Sequence, residues 1–360
     1  MTAPDPVDWE LAERVAVRVA RRNTPVVPDP AGLAADFARL APVAEELVGA
    51  HTGLVSANGA ARVQVTDRAG WIAANLRAFR GLLGPVLEHY RDEIAPRSTG
   101  FMIGAGRRVT AVELGVVLGW LSSRVLGQYD LLVADGVDGD DSAPADDAVY
   151  IVGPNLVELE RRFGFPPEQF RLWIALHELT HRAQFTGVPW MRPYFLDQVG
   201  TALSLANPDP NALFARLRAA ITDRDDTRTR MREGGLPAVL ATPEQRDAIG
   251  RLGGLMSLLE GHGDVTMDRA GTEQVPSAAR FSRVLRARRQ RANLLQRLTG
   301  IAAKLDQYAA GERFIAAVEA AGGPRAIDRC WSGPEALPTM EEIRSPQQWI
   351  DRVMPETVVA

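Results

Sequence analysis

The sequence predicts a mainly α protein of the α+β class, in which long amphipathic helices surround one small β-sheet. Three observations predict it. Apolar residues recur at helical spacing over most of the chain. Only three short stretches carry the β-branched and aromatic clustering of strands. The chain has 360 residues, 46% of them hydrophobic, which is enough to fill a sizeable core.

Helices are expected at about 8 to 22, 30 to 50, 67 to 92, 109 to 127 and 155 to 163. A second group is expected at about 167 to 186, 192 to 206, 210 to 222, 243 to 268, 277 to 299, 302 to 321 and 339 to 353. The start near 243 has the clearest signal, since Thr242 can cap, Pro243 suits the first turn and Gln245 can reach back to the cap. Strands are expected at "ARVQV" (61–65), "YDLLVAD" (129–135) and "AVYIVG" (148–153). The glycine cluster "GFMIGAGRR" (100–108) is not a G-x-G-x-x-G turn opening a strand-to-helix unit, and it reads as a loop. The charged stretch "TDRDDTRTRMREGG" (222–235) reads as a connector and candidate hinge within one domain spanning 1–360. That domain has a helical N-terminal part, about 1–125, and chemistry-bearing residues within 126–270.

Composition excludes several functions. With 41 basic and 45 acidic side chains the net charge is −4, which gives no electrostatic basis for a nucleic acid or an anionic membrane as partner. The basic run "RFSRVLRARRQR" spreads its arginines over several helical faces and interleaves no aromatic beyond Phe281, as a solvated helix would. Cys330 is the single cysteine, so neither an intrachain disulfide nor a thiolate-rich zinc site can form. The N-terminus lacks the apolar core of a signal peptide, and no stretch is apolar enough to span a membrane, so a cytoplasmic protein is expected. No pattern sets an oligomeric state. The acidic stretch from Asp135 to Asp147 invites a calcium reading. An EF-hand loop beginning at Asp138 would need glycine at its sixth position and glutamate at its twelfth, where the chain has Ala143 and Val149.

One stretch carries chemistry. "FRLWIALHELTHRAQF" (170–185) contains His177-Glu178-Leu179-Thr180-His181. Residues four apart lie on one helical face, so both imidazoles can reach one ion while Glu178 stands beside a water on it. The flanking Phe170, Trp173, Ile174, Leu176 and Leu179 describe a buried helix, in which one ion would satisfy two histidines at once. One zinc ion per chain is therefore the expected cofactor. A catalytic zinc site has three protein ligands and an open position. The metzincin pattern fails to supply the third, because its glycine and histidine positions are Gln184 and Gly187 here.

"MSLLEGHGDVTMD" (256–268) offers Glu260 as third ligand, with Asp264 four residues on to orient a ligand histidine from behind. His262 is the alternative ligand, two residues along and on a different side of a regular helix. Gly253, Gly254, Gly261 and Gly263 cost up to about 1 kcal/mol each in a helix, which implies close approach of another element. A di-iron carboxylate bundle would need Glu-x-x-His on two helices, and the motif occurs once.

The expected function is therefore that of a zinc-dependent metallohydrolase, foremost a metallopeptidase. It would cleave peptide or amide bonds, in a peptide or a small amide-containing substrate, through zinc-activated water with Glu178 as general base. Tyr194, His262 and Arg192 are candidates to stabilise the oxyanion, Tyr194 foremost, and "AVYIVG" is the candidate edge strand for an extended substrate. The alternative is a catalytically silent scaffold or binding protein held together by zinc, against which an intact Glu178 argues.

At these residues the sequence resembles the zincin-like metallopeptidases of actinobacteria, a family associated by gene neighbourhood with synthesis of a deazaflavin coenzyme. The resemblance runs through "LGQYD" (126–130), "VGPNLVELERRFGF" (152–165), "FRLWIALHELTHRAQFTGVPW" (170–190), "MSLLEGHGDVTMD" (256–268), "KLDQYAAGERFI" (304–315) and "CWSGPEALPT" (330–339). It implies a largely helical zincin-like fold, with His177 and His181 as ligands, Glu178 as base and Glu260 as third ligand. The Glu260 to Asp264 spacing also resembles that of gluzincins such as thermolysin, although 78 residues lie between His181 and Glu260.

Overall fold

The computed structural model describes residues 5, 7–21, 24–84, 100–131, 147–203, 242–296 and 306–355. Helices dominate them, with one three-stranded sheet. In chain order the elements are α1 (Trp9–Ala20), α2 (Pro30–Thr52), β1 (Arg62–Thr66), α3 (Arg68–Leu82), α4 (Gly100–Ser122), β2 (Gly127–Asp130), β3 (Ala148–Val152), α5 (Gly153–Phe163) and α6 (Pro167–Thr186). They continue with α7 (Met191–Leu203), α8 (Pro243–Arg269), α9 (Ala278–Gln296), α10 (Asp306–Gly322), α11 (Met340–Arg344) and α12 (Pro346–Val353). Two compact units divide the chain: residues through Pro189 with Gly263–Arg286 form the first, and Trp190–His262 with the chain from Ala287 onward forms the second.

The first unit is built on β3. Its five residues are all buried, and because side chains alternate across a strand they feed two cores. Val149 and Ile151 join Phe37, Leu40, Leu156, Phe170, Trp173 and Leu176 on one face. Ala148, Tyr150 and Val152 join Ala12, Ala16, Trp71, Ile72 and Leu118 on the other. A run that is apolar on both faces belongs in the middle of a sheet, and the strand order is β1-β3-β2, with β1 parallel and β2 antiparallel to β3. The expectation that "AVYIVG" forms a sheet edge is thus overturned: β3 is paired on both sides, and β2 stands at the edge among the described residues.

The second core depends on a seam of small residues. Ala12, Ala16 and Ala20 of α1 are buried, and α4 meets them with Gly115 and Gly119, where a Cβ would come within 2.6 Å of the Ala12 carbonyl and 2.5 Å of the Ala16 carbonyl. The stretch "GFMIGAGRR" is helical rather than a loop, since α4 starts at Gly100. The propensity cost of its glycines, about 1 kcal/mol each, is offset by the close packing that later glycines of the same helix allow.

A left-handed Gly164 (φ 57°) stops α5, and Pro166 and Pro167 then open α6. Arg171 fixes the α5–α6 corner through a two-pronged bond to Glu160, 2.8 and 2.9 Å, and a contact to Asp36 of α2. Phe165, Phe170, Trp173 and Phe281 stack around it at centroid separations from 4.7 to 6.0 Å.

In the second unit, Phe314 of α10 meets Trp349 of α12 edge-on at 5.4 Å, and the Trp349 indole donates to the Ala336 carbonyl at 2.7 Å. The single helix expected over 339–353 is two. Pro346 disfavours helical backbone at the residue before it, and Ser345 accordingly leaves the helical region (φ −130°, ψ 74°). The strand expected at 129–135 begins earlier, at Gly127, and its part beyond Leu131 lies outside the described residues. So do the helix expected at 210–222, the connector at 222–235 and the acidic stretch through Asp146.

Candidate metal centre

The site starts from α6. Apart from a few positions the helix is buried all round, as an element inside a core must be. His177 and His181 stand one turn apart, their rings nearly perpendicular (84°) with centroids 4.6 Å apart. Their Nε2 atoms face each other at 3.2 Å. Two nitrogens held at about 2.0–2.1 Å by one tetrahedral ion would be separated by about 3.3 Å, so the spacing fits zinc. The rings differ at their other nitrogens, and that of His181 has an oxygen within hydrogen-bond length. Nδ1 of His181 lies 2.9 Å from Oε1 of Gln184, and Nδ1 of His177 lies 3.6 Å from Oδ1 of Asp264.

The third member is Glu260. One ligand atom from each of His177, His181 and Glu260 falls within 4.8 Å of the others. Glu260 sits one turn ahead of Asp264 on α8, so both carboxylates lie on one face of that helix. Two imidazoles and a carboxylate are the donor set of catalytic zinc sites, which leave a fourth position open.

The glycines of α8 have distinct partners. A Cβ on Gly263 would lie 3.1 Å from Cε1 and Nδ1 of His177 and 3.2 Å from Cε1 of His181. That is the close approach to the histidine helix which the glycine-rich sequence implied. Gly261 instead accommodates the Gly311 backbone of α10, and Gly254 that of Pro338 and Thr339. Further along α8, Asp268 accepts from the Trp173 indole at 3.1 Å and from the Ser282 hydroxyl at 2.5 Å, which ties the end of α8 to α6 and α9.

Glu178 is 6% exposed. Gly127 of β2 lies against it, so close that a Cβ there would be 2.6 Å from Cγ and Oε1 of the glutamate. Gln128, the next residue, exchanges two hydrogen bonds with the Asn75 amide of α3, at 3.2 and 3.3 Å, and Tyr129 stacks on Phe185 of α6 at 6.0 Å. The edge strand is therefore pinned from both faces beside the glutamate.

The other expected residues have their own surroundings. His262 is buried, its ring edge-on to Trp331 at 5.2 Å. Tyr194 of α7 packs edge-on to Trp190 at 6.1 Å. Burial pushes its phenol pKa up, Arg251 partly opposes this and Asp197 adds a smaller upward push, so the phenol keeps its proton at neutral pH. Arg192 is half-buried on the same helix.

Sequence reasoning missed three residues. Gln184 was passed over as the wrong residue for a metzincin, although its i+3 spacing from His181 was the available signal. Gly127 carries no local signal, because its partner is 51 residues away. Arg182, 1% exposed, donates to Asp147 at 2.8 Å, to Glu45 at 2.5 Å and to the Gly59 carbonyl at 2.9 Å, anchoring α6 immediately after His181. Its neighbours in sequence do not suggest burial.

A family profile described as "Zincin-like metallopeptidase" matches residues 7–350. A solved structure from Chloroflexus aurantiacus, described as "a putative hydrolase with a novel fold", is 32% identical, covering 96% of this chain and 98% of its own, with a TM-score of 0.69. No curated protein matches the chain.

Proposed function

The chain belongs to the zincin-like metallopeptidase family, and from that premise we propose that it is a zinc-dependent hydrolase of peptide or amide bonds, binding one zinc per chain on His177, His181 and Glu260. The observation that carries this reading is the pair of Nε2 atoms facing each other at 3.2 Å, with the far nitrogen of His181 held 2.9 Å from the Gln184 oxygen. When bound, zinc supplies a Lewis acid and a water of lowered pKa.

This chain's own residues then divide the work. Asp264 and Gln184 hold the two imidazoles in the orientation that presents Nε2. Glu178 accepts the proton of the attacking water and returns it to the leaving amine. Tyr194, which keeps its phenolic proton, is the proposed donor to the oxygen on which negative charge develops. An extended substrate is expected to lie along β2, since Gly127 of that strand abuts Glu178 and β3 is already paired on both sides.

A silent zinc scaffold is not favoured, because structural sites close the ion with four protein ligands and the group has three among the described residues. A deazaflavin site has no support in the glycine cluster, which lies inside α4. No helix among the described residues is long and apolar enough to cross a membrane. With a net charge of −4 and a single, buried cysteine, we place the protein in the cytoplasm with no nucleic-acid partner.

Elemental analysis and hydrolysis of peptide and amide reporters test the reading. The wild-type chain and Glu178→Gln should each hold one zinc, with hydrolysis falling at least about 100-fold in the variant. Glu260→Ala should lose or weaken the metal. A wild-type chain that binds no zinc, or a Glu178→Gln variant with undiminished hydrolysis, would overturn it.

A further inference from the structure

His181 and Gln184 stand three residues apart on α6, which puts them on one helical face. Gln184 is 0% exposed, and its Oε1 lies 2.9 Å from Nδ1 of His181. A neutral imidazole has one ring proton, and the nitrogen that carries it cannot offer a lone pair. Nε2 of His181 faces Nε2 of His177 at 3.2 Å, and for both to hold one ion His181 needs its lone pair at Nε2 and its proton at Nδ1. An amide oxygen can only accept, and it stands where that proton points.

We infer that Gln184 is a positioning residue that holds His181 in its Nδ1–H tautomer and thereby presents Nε2 as a donor. The inference rests on the zinc reading of the site. It also makes the two histidines unequal, because Nδ1 of His177 stands 3.6 Å from the Asp264 carboxylate, beyond hydrogen-bond length, whereas Nδ1 of His181 lies within 2.9 Å of an uncharged amide. A carboxylate pulls harder on the ring proton and makes the opposite nitrogen a better donor. Gln184→Glu therefore keeps the tautomer and strengthens His181 as a donor. Gln184→Met fills the same space and removes the acceptor.

Two measurements on the full-length chain decide it. The first is a long-range proton–nitrogen NMR spectrum of the metal-free protein at mildly alkaline pH, which reads the tautomer of each histidine without any metal. Wild type and Gln184→Glu should show His181 protonated at Nδ1, and Gln184→Met should show Nε2–H or a mixture. The second is zinc affinity by competition with a chromogenic chelator. Gln184→Met should bind about 10- to 100-fold more weakly, and Gln184→Glu at least as tightly as wild type.

A purely structural role predicts that the well-packed Met variant keeps both the tautomer and the affinity, and that result would overturn the inference. So would an Nε2–H tautomer in the wild type, a measurement that needs no variant to fold. A wild-type chain that shows the Nδ1–H tautomer but binds no zinc would sink the zinc reading while leaving the Gln184–His181 assignment in place.

Discussion

Replacing Gly127 by alanine should separate activity from stability in this protein. The added Cβ would lie 2.6 Å from Cγ and Oε1 of Glu178 and 2.7 Å from its Cδ. Carbon atoms in contact rest about 3.5 Å apart or more, so the glutamate must give way by roughly 1 Å. Displacement of that order at a reacting group costs about 100-fold in rate, equivalent to about 2.7 kcal/mol of transition-state stabilisation.

The backbone should accept the change. Gly127 is not among the glycines with positive φ, so alanine suits its conformation, and the narrower unfolded ensemble contributes about 0.4–1 kcal/mol toward stability. The expected result is a kcat/KM about 100-fold lower on any reporter the parent hydrolyses, with zinc content and melting temperature nearly unchanged. Combining Gly127→Ala with Glu178→Gln should be little worse than Glu178→Gln alone, because both act through one carboxylate. A single variant within about threefold of the parent, or full additivity in the double variant, would refute the coupling of β2 to Glu178.

Other perturbations test the frame that holds the site. Arg182→Met strands buried Asp147 and partly buried Glu45 without their cation, and urea denaturation should show a loss of about 3–5 kcal/mol; a loss under about 1 kcal/mol would mean the cluster is solvated. Gly119→Leu forces a side chain into the Ala16 carbonyl and Val19 across the α1–α4 seam, at a cost of about 1–3 kcal/mol or more in thermal unfolding. For Glu342, burial alone raises the carboxyl pKa, but the bonds from Arg352 and the Thr339 cap outweigh it and leave the group below its ordinary value. A depressed folded-state pKa adds stability that is complete above the unfolded value, about 4.3, and is lost as pH falls through the folded value. Glu342→Gln should therefore flatten the acid limb of the stability profile, modestly because Arg352 is 41% exposed; an unchanged limb would argue against this ion pair.

The sequence carried what helical periodicity and local chemistry encode. The α6 helix was legible because its start, its apolar ring and its histidine spacing all occur within 20 residues. The crowding of α8 was legible in its glycines, and the Glu260 to Asp264 pair in its spacing. Long-range arrangement was not. Strand order places "AVYIVG" in the centre, although its unbroken apolar run already argued against a half-solvated edge. The "GFMIGAGRR" stretch is helical against local propensity, and the α4 helix it begins packs on α1 further along, where Gly115 and Gly119 meet Ala12 and Ala16 from 103 residues earlier. Arg182 reads as a surface charge until Glu45, Asp147 and Gly59 converge on it from distant positions.

Gly263 lies between His262 and Asp264 in a helix that turns its bare backbone toward two imidazole rings. Sliding that helix by a single residue would drive a side chain into the rings and at the same stroke carry both carboxylates out of reach. Grip and steering thus share one register.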